Sequence, residues 1–288
     1  MEGGSVVLGT SLTATADATC GESGVSSGWV VPVGVTVRLT GSTTSTSVSG
    51  GDSHRIFCVL GTLILEDLLV TGGSMSARNS PDTFNPTNSQ STGSHPAGGA
   101  IFVASGGRLE TLNVNFQGNR AVRYEYYATG MGGAVALADN TYFVAVDTTF
   151  TSNNANGWVY GGAGGAVFVS TTAVFSATGC TFTSNGGSGE QGNYYGGAVY
   201  VAGTFTAANV KFVTNSIKSY GGAVYVAQSG GSFVSSNAHF SSNVATSGGT
   251  DVKKDSGATY TATCPGSSAA MSASECNGCS GTANCADF

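Results

Sequence analysis

The sequence predicts an all-β protein, a parallel β-helix of about seven rungs with three short strands per rung. Three observations lead there. Gly-Gly-Ala opens at Gly98, Gly132, Gly164, Gly196 and Gly221, with a degenerate Gly248-Gly249-Thr250 after them. The spacing drifts between about 25 and 34 residues, which marks a solenoid whose variable lengths lie in loops. A second motif, Phe-x-x-Asn, follows each copy at Phe116, Phe150, Phe182, Phe212 and Phe240. Between the two motifs, apolar residues alternate with polar ones at the period of two that defines a strand with one buried face.

Residues 1–97 contain irregular rungs. Ser5-Val6-Val7-Leu8, the stretch from Trp29 to Leu39 with Val31, Val33, Val35 and Val37, and the stretch from Ile56 to Val70 all read as short strands. Between them lie a Ser/Thr-rich segment, 41–51, and a longer Asn/Ser/Pro/Gly segment, 72–97. The second is too polar for a core and reads as an excursion loop. Regular rungs occupy 98–262, and 263–288 form a Cys-rich tail outside the β-helix.

Superimposing the regular rungs on their Phe assigns each column a place. Ile101, Val135, Val167, Val199 and Val224, with Val103, Leu137, Val169, Val201 and Val226, share one strand face and point inward. So do Leu109, Phe143, Phe175, Phe205 and Phe233, and, two residues before the key Phe, Val114, Thr148, Cys180, Val210 and Ala238. Cys180 is therefore expected to be an inert core thiol. Two polar columns read as corners. One is Asn113, Asp147, Gly179, Asn209 and Asn237, with Asp67 upstream; the other is Asn119, Asn153, Asn185, Asn215 and Asn243. Asn tolerates left-handed backbone, and amides stacked one rung apart can bond each other. About seven rungs at a strand spacing of about 4.8 Å give a rod about 35 Å long. The variable segments, from Arg120, Asn154, Gly186, Ser216 and Val244 to the next Gly-Gly, all read as loops on one edge, the edge solenoids use for binding.

Composition narrows the function. Charged residues make up 9% of the 288 residues against about 25% in ordinary domains, Gly contributes 45, and the net charge is −6. Nucleic-acid binding through a basic patch is excluded on charge, and no apolar run is long enough to make a transmembrane segment. Met1-Glu2-Gly3-Gly4 lacks the basic start and apolar core of a secretory leader. Cys264, Cys276, Cys279 and Cys285 crowd a tail that cannot pack a core, so with Cys20 and Cys58 they are the disulfide candidates of an oxidising, extracellular compartment. A zinc or redox reading of Cys276-Asn277-Gly278-Cys279 lacks a nearby His, and no metal or cofactor is expected.

The paired Gly-Gly-Ala-[Ile/Val] and Phe-x-x-Asn motifs, in register over about residues 98–250, resemble the repeats of the chlamydial polymorphic outer-membrane proteins and of related extracellular proteins of microbial eukaryotes. The resemblance implies a right-handed parallel β-helix displayed at a cell surface, with adhesion as its usual role. The Thr-rich stretch ending at Thr261 and the Cys tail look more like the eukaryotic relatives than like a chain ending in an autotransporter barrel.

Three functional readings follow. The leading one is a non-catalytic structural or adhesive module at a cell surface or in extracellular matrix. Its partners would be other surface or matrix proteins, further copies of itself, or glycans. Its contact candidates are an outward aromatic stripe between the two inward positions of the first strand, Phe102, Phe168, Tyr200 and Tyr225, with Ala136 among them, and the loop aromatics Tyr126, Trp158 and Tyr194. Such a stripe is unusual on a face that should be polar, and it can stack on sugars, meet a protein, or lie beneath a loop. Tyr195 and Tyr220, each just before a Gly-Gly, can instead stack on one another to shield the corner. The rival is a polysaccharide lyase or hydrolase, which needs carboxylates gathered on adjacent rungs. Here the acids fall in different columns, and Asp139 is the only one near a first strand. A minor third reading is ice binding, which needs a Thr ladder over all rungs, and the columns contain none.

Overall fold

The structure, a computed structural model, describes residues 4–14, 18–20, 25–43, 45–76, 97–122, 129–157, 161–187, 194–227 and 230–263. The described residues are all-β, and the chain winds as a parallel β-helix. A long face stacks nine strands, from Gly4–Leu8 to Thr259–Thr263, and two further faces stack eight each. One is the glycine-led face, Trp29–Val31 to Val252–Lys254. The other, the Phe face, runs from Leu12–Thr13 to His239–Ser241. Each turn visits the glycine-led face, the long face and the Phe face in that order, as in Ile101–Val103, Arg108–Leu112 and Asn115–Gln117.

Two expectations need correction. The stack is taller than the about seven rungs expected, since the irregular N-terminal segments supply full strands such as Thr36–Gly41 and Thr62–Glu66 to the long face. Six of the described turns also have a fourth strand rather than three alone, so a fourth face appears. Six short parallel strands, including Arg120–Val122, Asn154–Asn156, Gly186–Gly187 and Ser216–Ile217, form it from residues that read as the beginnings of loops. The signal is weak because these strands have two or three residues and their inward positions are small, as at Ala121 and Ala155, both buried. Variable loops therefore leave from the fourth face.

Register confirms the core columns. Ile101 pairs with Val135, Val135 with Val167, Val167 with Val199 and Val199 with Val224, all buried. Inside, Phe116, Phe150, Phe182, Phe212 and Phe240 stack with ring centroids 4.6–5.0 Å apart. Phe143, Phe175, Phe205 and Phe233 form a second stack at 4.7–4.8 Å. The two stacks meet edge to face, for example Phe175 against Phe182 at 6.4 Å and 80°. Each stacked pair contributes roughly 0.5–1.5 kcal/mol beyond its area burial, so the columns lock neighbouring turns into one register. Tyr260 ends the second stack 4.9 Å from Phe233, and burial raises its phenol pKa to about 12.

The corners explain the motifs. Gly164 has φ 65°, and a Cβ on Gly165 would fall on the carbonyl oxygen of Gly197 in the next turn. The first glycine of the pair thus serves a left-handed turn and the second a close approach of backbones. Val224 pairs with Val252, so the last copy of the motif is Gly249-Thr250-Asp251 rather than Gly248-Gly249-Thr250. Among the described residues Val252–Lys254 is the outermost strand of its sheet, so no described turn follows Thr250 to demand a second glycine there.

The two asparagine columns differ. Asp67, Asn113, Asp147, Asn209 and Asn237 have φ between 46° and 54°, and Gly179 has 66°. In the Phe-x-x-Asn column the left-handed residue is one earlier, at Gly118, Ser152, Ser184, Thr214 and Ser242. This corrects the expectation that Asn itself makes that bend. Asn119, Asn153, Asn185, Asn215 and Asn243 are instead buried in a continuous ladder, each Nδ2 donating to the next Oδ1 at 3.0 Å. The second Nδ2 proton goes to a carbonyl one turn back, as from Asn185 to Phe150 O at 2.8 Å. The Gly73 N–H donates to Asn119 Oδ1 at one end, and at the other Asn243 Nδ2 donates to Asp251 Oδ1 at 2.9 Å.

Candidate functional site

The outward stripe stacks in register, Phe102 on Ala136, Ala136 on Phe168, Phe168 on Tyr200 and Tyr200 on Tyr225. It is nevertheless covered along most of its length: Phe102 is 7% exposed, Phe168 2% and Tyr225 7%. The cover is the residue before each Gly-Gly. Ala97, Met131, Ala163, Tyr195 and Tyr220 run as parallel bridges and a two-stranded ribbon over the glycine-led face. A second apolar cluster results, outside the β-helix core, in which Met75, Ala97, Met131 and Ala163 pack on Phe102 and Phe168.

Arg55 lies beneath that cover, 1% exposed. Its Nη2 and Nε donate to Ala97 O at 2.6 Å and Gly98 O at 3.1 Å, and its guanidinium stands 5.2 Å from the centre of the Phe102 ring. The carbonyls and the ring face offset part of the cost of burying the charge. Cys20 and Cys58 belong to the same cluster and are disulfide-bonded, with Cα atoms 5.7 Å apart. The bond ties the antiparallel hairpin Ala18–Cys20/Val25–Ser27 to the glycine-led face.

Toward the C-terminal end the cover becomes aromatic. Tyr195, Tyr200 and Tyr220 are half-buried and close over Tyr225. Tyr195 stacks on Tyr220 with centroids 6.0 Å apart and lies 4.6 Å from Tyr225; Tyr200 lies 5.5 Å from Tyr225. Tyr225 Oη donates to Asp255 Oδ2 at 2.7 Å. Burial first, then the hydrogen bond to Asp255, raises the Tyr225 phenol pKa; burial, then the Asp255 charge, raises that of Tyr200. Both hydroxyls stay protonated, so the shelf presents flat apolar rings with neutral hydroxyls and a carboxylate at the edge. Ring faces beside polar groups suit a sugar ring or an apolar protein side chain.

The predicted site residues are thus only partly assembled. Tyr200 and Tyr225 meet Tyr195 and Tyr220 in the shelf, while Phe102 and Phe168 lie beneath Ala and Met. Tyr194 is fully buried, its Oη donating to Gly157 O at 2.6 Å, so it braces the turn below instead of meeting a partner. Tyr126 and Trp158 lie outside the described residues, as do Cys264, Cys276, Cys279 and Cys285. Cys180 is buried, and burial pushes its thiol pKa up to about 11, which keeps it protonated and unreactive. The Asp139 carboxylate accepts from Ser170 Oγ at 2.6 Å and from the Thr172 N–H at 3.5 Å, an engagement that organises a turn between adjacent rungs. Sequence reasoning missed Asp255. Its place in Lys253-Lys254-Asp255, a charge run in a chain so poor in charge, was the available signal. Comparison with protein-family models, with curated proteins and with solved structures returns no match.

Proposed function

We propose that this chain is an extracellular β-helix module with a structural or adhesive role, holding surface or matrix proteins or glycans against its tyrosine shelf. One observation carries the reading. Along the same covering ladder, Ala97, Met131 and Ala163 suffice to seal the stripe, whereas Tyr195 and Tyr220 place half-exposed rings over Tyr225. Two large aromatics where alanine serves one turn away add contact area that the cover itself does not need. The Cys20–Cys58 disulfide supports an oxidising compartment, and the resemblance to polymorphic outer-membrane protein repeats supports display at a cell surface. The engagement of Asp139 by Ser170 and Thr172 favours a non-catalytic role.

The test is binding of the chain to immobilised extracellular glycans and matrix proteins, repeated with Tyr195→Ala and Tyr220→Ser. Retention should fall in both variants while melting temperature stays within a few degrees of the parent. Release of reducing or unsaturated ends from acidic or neutral polysaccharides, abolished by Asp139→Asn, would overturn the proposal in favour of a polysaccharide-active enzyme.

A further inference from the structure

We infer that the long face is where two copies of this chain associate, packed face to face on its centre about a two-fold axis along the strand Tyr142–Val146. This surface is separate from the tyrosine shelf, which lies over the glycine-led face. A sheet with one buried side turns polar side chains outward as a rule. In Tyr142–Val146 all three outward residues, Tyr142, Val144 and Val146, are apolar. Register sets Val174 beside Tyr142 on the next strand and Leu112 beside Val146 on the previous one, with Ile64 beyond Glu110 on the strand before that. These six side chains form one patch over four adjacent strands, in which Tyr142 is 52% exposed and Leu112 45%.

Position and area favour a second copy. Tyr142–Val146 is the fifth of the nine strands, so the patch sits at the middle of the face. Outward hydroxyls flank it on both sides, at Thr36 and Thr40 toward one end and at Thr204 and Thr206 toward the other. An apolar centre within a polar rim is the anatomy of a protein interface. Nine strands at about 4.8 Å and five residues at about 3.3 Å give a face of about 700 Å². Two such faces bury about 1,400 Å², within the range of a stable dimer interface.

Charge fits the same occupant and fixes its orientation. The described outward residues of the nine strands carry two arginines and two glutamates, so the face is neutral on a chain of net charge −6. Both pairs are satisfied within the face, Arg38 with Glu66, and Arg108 Nε with Glu110 Oε1 at 2.6 Å. A two-fold axis along the stack would set Arg38 against Arg38 and Glu110 against Glu110, and opposed like charges are costly. An axis along Tyr142–Val146 instead sets Val144 on Val144 and Glu110 opposite Ser176 of the second copy, since Arg108–Leu112 and Val174–Thr178 flank the central strand. The apolar centres then coincide.

Sedimentation equilibrium of the full chain tests the inference, with a dimer expected at about 50 μM. Val144→Lys, which opposes two ammonium groups at the axis, should raise the dissociation constant at least about a hundredfold, and Tyr142→Ser about tenfold, with far-ultraviolet circular dichroism unchanged in both. Tyr220→Ser, on the shelf, should leave the dimer intact. A monomeric full chain at that concentration would overturn the surface, leaving the patch to another protein or to residues 264–288. So would a dimer that survives Val144→Lys or is unaffected by Tyr142→Ser, one lost in Tyr220→Ser, or one that persists in denaturant without reductant and is therefore held by cysteines.

Discussion

Two columns of corner residues run along this stack six positions apart, beginning at Asn113 and Asn119, and the comparison between them separates two uses of one side chain. The outer column holds Asp67, Asn113, Asp147, Gly179, Asn209 and Asn237, because its requirement is a left-handed backbone and its side chains are mostly in solvent. Its side-chain bonds are local and intermittent: Asn113 to Asp67 and Asn237 to Asn209, each at 2.7 Å. The inner column is Asn in all five regular turns. Each amide there accepts from the main chain and the side chain of the previous Asn and donates forward to the next, as at Asn185. Asp could accept those bonds but not donate onward, and Gly could do neither. Burial and a double hydrogen-bonding duty, rather than bend geometry, make the inner column uniform.

Substitutions can break this contrast. The largest effect belongs to Asn185→Ala. It leaves the Asn153 N–H, one Asn153 Nδ2 proton and the Phe150 carbonyl without their partners in a buried site. Chemical denaturation should register a loss of about 3 kcal/mol; a loss below about 1 kcal/mol would mean that water fills the ladder. Next comes Asp251, which ends the ladder. Burial raises its carboxyl pKa, opposed by the hydrogen bond from Asn243 and the charge of His239. A carboxyl with a higher pKa folded than unfolded binds its proton more readily in the folded state. Its contribution therefore improves as pH falls through the folded value and is lost above it. Asp251→Asn, which keeps an acceptor for Asn243, should be at least as stable at neutral pH and should flatten the acid limb of stability against pH.

Smaller effects probe the bends. Thr214 is a β-branched residue at φ 53°, an unfavourable combination just before Asn215. Thr214→Gly should stabilise by up to about 1 kcal/mol through relief of that strain, less the bond between its hydroxyl and Ser184. Asn209→Gly, in the outer column, should stay within about 0.5 kcal/mol of the parent, since Gly179 already occupies an equivalent corner. A loss near that of Asn185→Ala would erase the distinction between the columns.

Much of this was legible in the repeat. Phe116, Phe150, Phe182, Phe212 and Phe240 could be superimposed, and every column called inward from that superposition is buried. The fourth face was not legible, because Arg120–Val122 or Gly186–Gly187 is too short to display a period of two. The site was legible only in part. Phe102, Phe168, Tyr200 and Tyr225 announced an outward stripe, but nothing in their spacing distinguishes an open face from a covered one. That depends on where Ala97, Met131, Ala163, Tyr195 and Tyr220 lie, and those residues precede each glycine pair with no periodic signal of their own.

The sequence alone determined the stacking of like on like, since alternation at period two and a motif repeated in register admit only one way to bury the columns. Tertiary structure decided which outer surfaces remain accessible. The covering ladder and the Asp251 end of the amide column each depend on residues from different turns meeting across the stack. Distance along the chain carries no information about such meetings.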